Sequence, residues 1–438
     1  MTGTPDRPVL LPDGSDPDPY PRYAELRETG EVHVVREATG LCRWTFAGYE
    51  HGRQMLADPR LTKDPRAAWD QLLAAGYVTG DAETDQYMFH LLNADPPDHT
   101  RLRGMIQRSF SPARAAALRP LVEKTAGELL DGLDPGRPVD LIAGYALPLA
   151  VRIMGEILGV PTDDFDDYHV WASAGLTLPG AAGATMSRAD AYREMRRFFA
   201  DLIGRRTAEL AAATATTTAA GPATGPVTAP QDGDHGPAEP DVLTSLLLAR
   251  QAGDPLTGQE MTALLIFLLN TGQEPTVSMV ANGILALLRH PDQLELLNRE
   301  PALMPTAVDE FLRYDGSVAL STLRIAREDI EVDGTVVPEG AIVSVIMNSA
   351  DRDGRRFEHP DRLDVTRSPN PHLAFGHGIH RCLGVPLARM IGEIAFTELL
   401  RRHPRPTLAC TPDELRWRPT RVMRGLAALP VLLTPAAG

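Results

Sequence analysis

Residues 372–384 read HLAFGHGIHRCLG, and the run VPLARMIGEIAFTELL follows at once. The stretch holds Gly376, Gly378 and Gly384, three histidines and Cys382, in a chain with only three cysteines. A lone cysteine is ordinarily a small buried hydrophobe. A helix that starts just after Cys382, however, turns free N–H groups and a positive dipole end toward the sulfur. That setting favours thiolate. The glycines let the backbone approach something broad and flat, while His380 and Arg381 add donors and positive charge. A thiolate on a metal, with a wide partner over a glycine-rich loop, suits haem iron. A zinc site of His372, His377, His380 and Cys382 is the competing metal reading, although the paired CxxC or HxxxH blocks typical of zinc are missing. A thiol nucleophile is a third reading, with no clear base and orienting partner in the sequence.

The 438 residues carry a formal charge of −15, a pI of about 5.3 and 43% hydrophobic residues. An acidic chain argues against nucleic-acid binding, which needs a basic field. Cys42, Cys382 and Cys410 are odd in number and widely spaced, so no disulfide framework is implied and a reducing, cytoplasmic location is expected. The N-terminus lacks a signal-peptide core. The most apolar run, ALLIFLLN (263–270), is too short to span a bilayer, so no membrane association is expected.

The pattern predicts a mainly α protein with small β hairpins. VHVVREATGLCRWTF alternates and turns at Thr39-Gly40, and DIEVDGTVVPEGAIVSVIM reads as a hairpin with an Asp-Gly turn. Helical spacing recurs from about Asp98 onward, including one long helix, MTALLIFLLNTGQEPTVSMVANGILALLRH. Residues 212–241, rich in Ala, Thr, Gly and Pro, read as a low-complexity, disordered surface loop within a single domain spanning 1–438.

FGHGIHRCLG (375–384) resembles the haem-binding loop of the cytochrome P-450 superfamily, F-G-x-G-x-H-x-C-x-G. The resemblance implies the cytochrome P-450 fold, haem b as cofactor, Cys382 as axial metal ligand, and Phe375 and Gly384 beside the haem. Glu310-Phe311-Leu312-Arg313 matches the family's E-x-x-R helix, a structural ion pair between residues on one helical face. DPPDHTRLRGMIQRSF (95–110) looks like the family's D-P-P-x-H-T-x-x-R segment. By resemblance His99, Arg103, Arg324 and His380 contact the haem propionates, a task to which the arginine fork is suited. NSADRDGRRFEHPDRLDVTR (348–367) is similar to the stretch ahead of the haem loop, but reads Ala-Asp-Arg-Asp where Ala-Asn-Arg-Asp is usual. The likeness runs from the first helix to near the C-terminus, and is greatest to soluble bacterial members of the kind that tailor secondary metabolites. The activity implied is monooxygenation of a small organic molecule, most simply hydroxylation. Oxidative cross-linking, epoxidation or desaturation of a peptide or aromatic substrate is the alternative, and a non-catalytic haem or zinc protein the remote one.

One departure bears on chemistry. The long helix reads Thr271-Gly272-Gln273-Glu274-Pro275-Thr276, where the family has an acid followed by Thr. Glu274 matches the acid, but proline offers neither a hydroxyl nor an N–H. Proton delivery would then use Glu274 with water, Thr276, the Thr271 region or a substrate group. Pocket candidates by resemblance are the 63–92 region with Trp69, Tyr77, Tyr87, Met88 and Phe89, the turn at Thr177 and Leu178, Leu268 to Thr271, Val318 to Thr322 with Leu320, and Val422 with Met423. They are largely apolar and suit a hydrophobic ligand. The sequence carries no flavin or nicotinamide fingerprint, so neither is expected to be bound. Electrons are expected from a ferredoxin and its ferredoxin reductase, docked near Arg101, Arg108, Arg381 and Arg389. Dioxygen is the co-substrate, and a monomer is the expected state.

Overall fold

The computed structural model describes residues 9–11, 14–37, 39–161, 168, 170–172, 174, 186–219, 240–420 and 422–434. Thr177, Leu178 and residues 220–239 of the low-complexity segment lie outside these. The helices that build the site are α1 (Asp98–Ile106), α2 (Pro112–Asp131), α3 (Leu147–Leu158), α4 (Arg188–Ala219), α5 (Gly258–Arg289), α6 (Met304–Tyr314) and α7 (Val385–Arg402). Helix α4 continues to Ala219, inside the stretch read as a loop from residue 212; alanine is the strongest helix former.

Helix α7 buries Leu387, Met390, Ile391, Ile394, Phe396 and Leu399, the three-to-four spacing of one apolar face. That face packs on α2 and α6, and α5 crosses the same core. Each such side chain contributes roughly 1.5–3 kcal/mol through burial. Helix α5 starts with a reciprocal cap: Glu260 N–H donates to Thr257 Oγ1 at 3.1 Å, and Thr257 N–H to Glu260 Oε2 at 2.9 Å. It then runs through Pro275 without a break.

The strands β1 (Val32–Arg36), β2 (Cys42–Phe46), β3 (Leu61–Thr62), β4 (Arg324–Ala326) and β5 (Ile342–Val345) form one sheet in the order β1-β2-β5-β4-β3. The first hairpin is as expected, with Val32 opposite Phe46 and Arg36 opposite Cys42. The second closes at Asp333 and Gly334, both at positive φ, but comprises only Ile330–Val332 and Thr335–Val337. The apolar run read as its continuation is β5, which pairs parallel to β2 and antiparallel to β4. All four β5 residues are buried, as a strand between two neighbours requires. This sheet delivers Arg324 at the start of β4 and Lys63 just after β3.

Candidate active site

The loop before α7 is closed by the Cys382 N–H, which donates to the Phe375 carbonyl at 2.9 Å. Gly376 and Gly378 sit at φ +69° and +78°. A Cβ at Gly378 would stand 2.9 Å from Ala57 Cα and 3.0 Å from the Leu56 carbonyl, so both its conformation and its surroundings demand glycine. Gly384 is the N-cap of α7, and its N–H points at the Cys382 sulfur. Burial pushes the Cys382 thiol up, while the Gly384 N–H, Arg103 and Arg381 pull the other way. Cys382 has open surface although it lies deep inside the protein, so it faces an internal space.

Basic side chains gather on one wall of this region. His99 and His380 meet with ring centroids 4.4 Å apart, and the Nε2 atom of each is buried without a hydrogen-bond partner. Burial, with Lys63, His99, Arg324 and Arg103 nearby, pushes His380 down to about 2. His99 is lowered for the same leading reason. Arg103 reaches the Arg381 carbonyl at 3.0 Å, and Arg324 the Leu56 carbonyl at 3.1 Å. Burial lowers Arg324 to about 10. The structure therefore brings together all four basic residues selected from the sequence. It adds two that were missed, Lys63 and His90. Lys63 is buried beside Arg324. His90 stacks on Phe267 of α5 at 4.4 Å and is lowered to about 3 by burial and then by Lys63. Neither lies in the haem motifs; both fall in the 63–92 region, which the sequence marked for the substrate pocket and not for the basic wall.

On α5, Phe267, Thr271, Gly272, Pro275 and Thr276 have open surface, whereas Gln273, Glu274 and Val277 are buried. Steps of four along this stripe describe one helix face turned to a space. The Thr271 hydroxyl donates to the Phe267 carbonyl and that of Thr276 to the Gly272 carbonyl, both at 2.7 Å. Both hydroxyl protons are thus turned back into the helix. Glu274 lies off the stripe, with Oε2 2.6 Å from Arg418 Nη2. Arg418 stands in the C-terminal segment, where no motif pointed to it.

The Glu310–Arg313 pair is fully buried and bidentate, at 2.7 and 2.8 Å. Arg313 also donates to the carbonyls of Asp351, Pro360 and Arg362. Glu310 accepts from Arg367, Asn370 and the Asp364 N–H.

Val318, Leu320 and Val422 come together: Val318 bridges Met423, and the Ala319 and Leu320 N–H groups donate to Val422. Phe89 instead stacks on Trp69 under the exposed Arg66 guanidinium, which sets it at the outer face. Leu268 is buried in the core. A cavity of about 700 Å³ runs beside the first turns of α5, lined by Tyr87, Arg196, Ile203, Thr262, Ala263 and Ile266 among others. Tyr87 and Gln86, both in the 63–92 region, line it, whereas Phe89, Leu268, Val318, Leu320 and Val422 do not. Among the docking candidates, Arg101 is committed to Asp254 and Glu260, which removes it from a free basic face. Arg108 and Arg381 are exposed, and Arg389 pairs with Asp309.

The residues present fit a haem group. A cysteine sulfur faces an internal space, two imidazole nitrogens are buried without partners, and several basic side chains converge, with none of His99, Arg103, Arg324, His380 or the Lys63 ammonium in an ion pair with a carboxylate among the described residues. Among the described residues, no three His, Cys, Asp or Glu are placed to share a metal ion, so the histidines of the loop do not gather round Cys382 as zinc would need. No described helix is long and apolar enough to cross a membrane.

Comparison with known proteins agrees with this geometry. The cytochrome P-450 family pattern matches residues 229–404. The chain is 38% identical to the cytochrome P-450 monooxygenase PikC of Streptomyces venezuelae, over 94% of this chain and 91% of that one. It is 35% identical to 6-deoxyerythronolide B hydroxylase of Saccharopolyspora erythraea, over 99% of this chain and 100% of that one. Among solved structures it is similar to CxnD, a cytochrome P-450 enzyme for C–S bond formation in chuangxinmycin biosynthesis. The TM-score is 0.84 at 33% identity, covering 99% of each chain. With full-length relatives above 30% identity and a cysteine-bearing loop built for a broad cofactor, the chain belongs to the cytochrome P-450 family and is a monooxygenase.

Proposed function

We propose that this monooxygenase hydroxylates a largely apolar small molecule of secondary metabolism, with Cys382 as the axial thiolate of haem b. Cys382 carries the reading: its sulfur is open to an internal space at the start of α7, with the Gly384 N–H aimed at it. In this reading His99, Arg103, Arg324 and His380 hold the propionates. Phe375 and Gly384 line the thiolate side, and Glu310 with Arg313 fixes the loop. Val318, Leu320 and Val422 contact substrate, which enters along the cavity beside α5. Residues 1–438 act as one domain.

Haem, when bound, supplies the reductive activation of dioxygen. This chain's own task on α5 is to supply protons and exclude bulk water. Pro275 cannot donate to the Thr271 carbonyl, which leaves that oxygen free to hold a water on the open stripe. Thr271 and Thr276 offer further acceptor oxygens there. Glu274 is the nearest acid on the helix; once it releases Arg418 it takes a proton from solvent and passes it to that water. Electrons come from a ferredoxin and its reductase, with Arg108, Arg381 and Arg389 as the docking face; high salt should slow that reduction.

The test is a difference spectrum of the purified protein reduced with dithionite and exposed to carbon monoxide. A strongly red-shifted Soret band is expected, and C382S should abolish it. A histidine-type band in the wild-type protein would overturn the assignment.

A second reading, oxidative bond formation, is favoured by Pro275 in place of a hydroxyl and by the likeness to an enzyme of C–S bond formation. Labelled dioxygen distinguishes the two: hydroxylation places label in the product, whereas coupling leaves it unlabelled.

A further inference from the structure

Lys63 is 3% exposed, and its ammonium donates to Thr322 Oγ1 and to the Leu323 carbonyl, both at 2.7 Å. Among the described residues it has no carboxylate at ion-pair distance. Asp95 is the acid it feels, but the oxygens of Asp95 are taken by the Thr62 hydroxyl, the Lys63 backbone N–H and Arg327. Its other charged neighbour is Arg324, and together with burial this holds Lys63 well below the usual lysine range. Arg324 likewise meets only carbonyls. A buried ammonium beside a buried guanidinium, with no acid paired to either, is costly unless an anion arrives. The wall already offers four basic residues, so the surplus is specific to this site.

We infer that Lys63 is a fifth cofactor-binding residue, whose ammonium takes a haem propionate and ties that edge of the cofactor to Thr322 and Leu323. This rests on the haem reading above. Lys63 keeps its two protein acceptors and turns its third N–H to the carboxylate. The segment it holds lies between Val318 and Leu320, placed in the substrate pocket, and Arg324, placed on a propionate. Cofactor seating and the shape of the pocket wall are therefore linked through one side chain.

The test compares wild-type protein with K63M and K63R, using haemin and haemin dimethyl ester, whose propionates are blocked. Transfer of haem to apomyoglobin should be about tenfold faster from K63M, the size of one charge-assisted hydrogen bond, and K63R should recover most of the retention. Wild type should prefer haemin over the ester by more than K63M does. The cofactor-free K63M protein should melt at a higher temperature than wild type, because an uncompensated buried charge is gone. A lysine that only braces Thr322 and Leu323 would give the reverse: a lower melting temperature and unchanged preference for haemin, and that result overturns the proposal. Haem retention at the wild-type rate in K63M also overturns it. The thiolate-type carbon monoxide band should persist in K63M; its absence from wild type would sink Cys382 instead, so the two failures are distinguishable.

Discussion

Arg418 holds Glu274: the guanidinium stands 2.6 Å from the carboxylate, and its other contact is the Ser278 hydroxyl one helical turn further on. The acid of α5 is therefore anchored to the C-terminal segment that also carries Val422 and Met423. A substrate that displaces this segment would also loosen the acid. E274Q keeps the shape and removes the group that can take up and release a proton. Product formation should fall on the order of 100-fold, with the carbon monoxide spectrum unchanged. Turnover equal to wild type would exclude Glu274 from the proton path.

Pro275→Thr restores both a helix N–H and a hydroxyl on the open stripe. The share of NADPH electrons that ends in product should change, and the quantity to measure is product formed per NADPH consumed. An unchanged ratio would mean that the position has no part in proton control here.

Asp351 stands where the family usually has asparagine, and burial raises its carboxyl to about 7. One oxygen accepts the Leu373 N–H at 2.6 Å, and the other is buried without a partner. The folded state holds this proton more tightly than the unfolded chain, whose aspartate titrates near ~4. Its contribution to stability is thus complete below about pH 4 and is lost as pH rises toward 7. D351N cannot ionise. It should flatten that part of the stability profile and gain on the order of 2–4 kcal/mol relative to wild type at pH 8, measured by urea unfolding across pH. Parallel profiles for the two proteins would refute the assignment.

E310Q leaves Arg313 and Arg367 facing a neutral group in a site closed to water. Breaking a buried pair costs roughly 3–5 kcal/mol, so the variant should accumulate with little haem. The ratio of haem to protein measures this, and a wild-type ratio would show that the pair is dispensable.

The sequence made the cofactor side of the site readable because its contacts are local. Phe375 to Gly384 form one turn, and His99 and Arg103 lie one helical turn apart. The long α5 helix was also clear, since its apolar pattern continues on both sides of Pro275. What stayed hidden depends on distant chain segments. Arg418 meets Glu274 only because the C-terminal segment folds back onto α5. Lys63 enters the cation wall because β3 pairs with β4. Strand β5 was misassigned because an apolar run reads alike whether it continues a hairpin or fills the middle of a sheet. Phe89 was expected in the pocket, but the residue turned toward α5 is its neighbour His90.

The irregular stretch from Asp351 to Asn370 contains almost no regular secondary structure, yet its carbonyls and N–H groups converge on Glu310 and Arg313. An ion pair placed there acts as a mould. It gives a wandering backbone fixed points to close on. The course of the chain into the loop that carries Cys382 is thus set by two buried charges, where a helix or a sheet would have set it by repeated backbone hydrogen bonds.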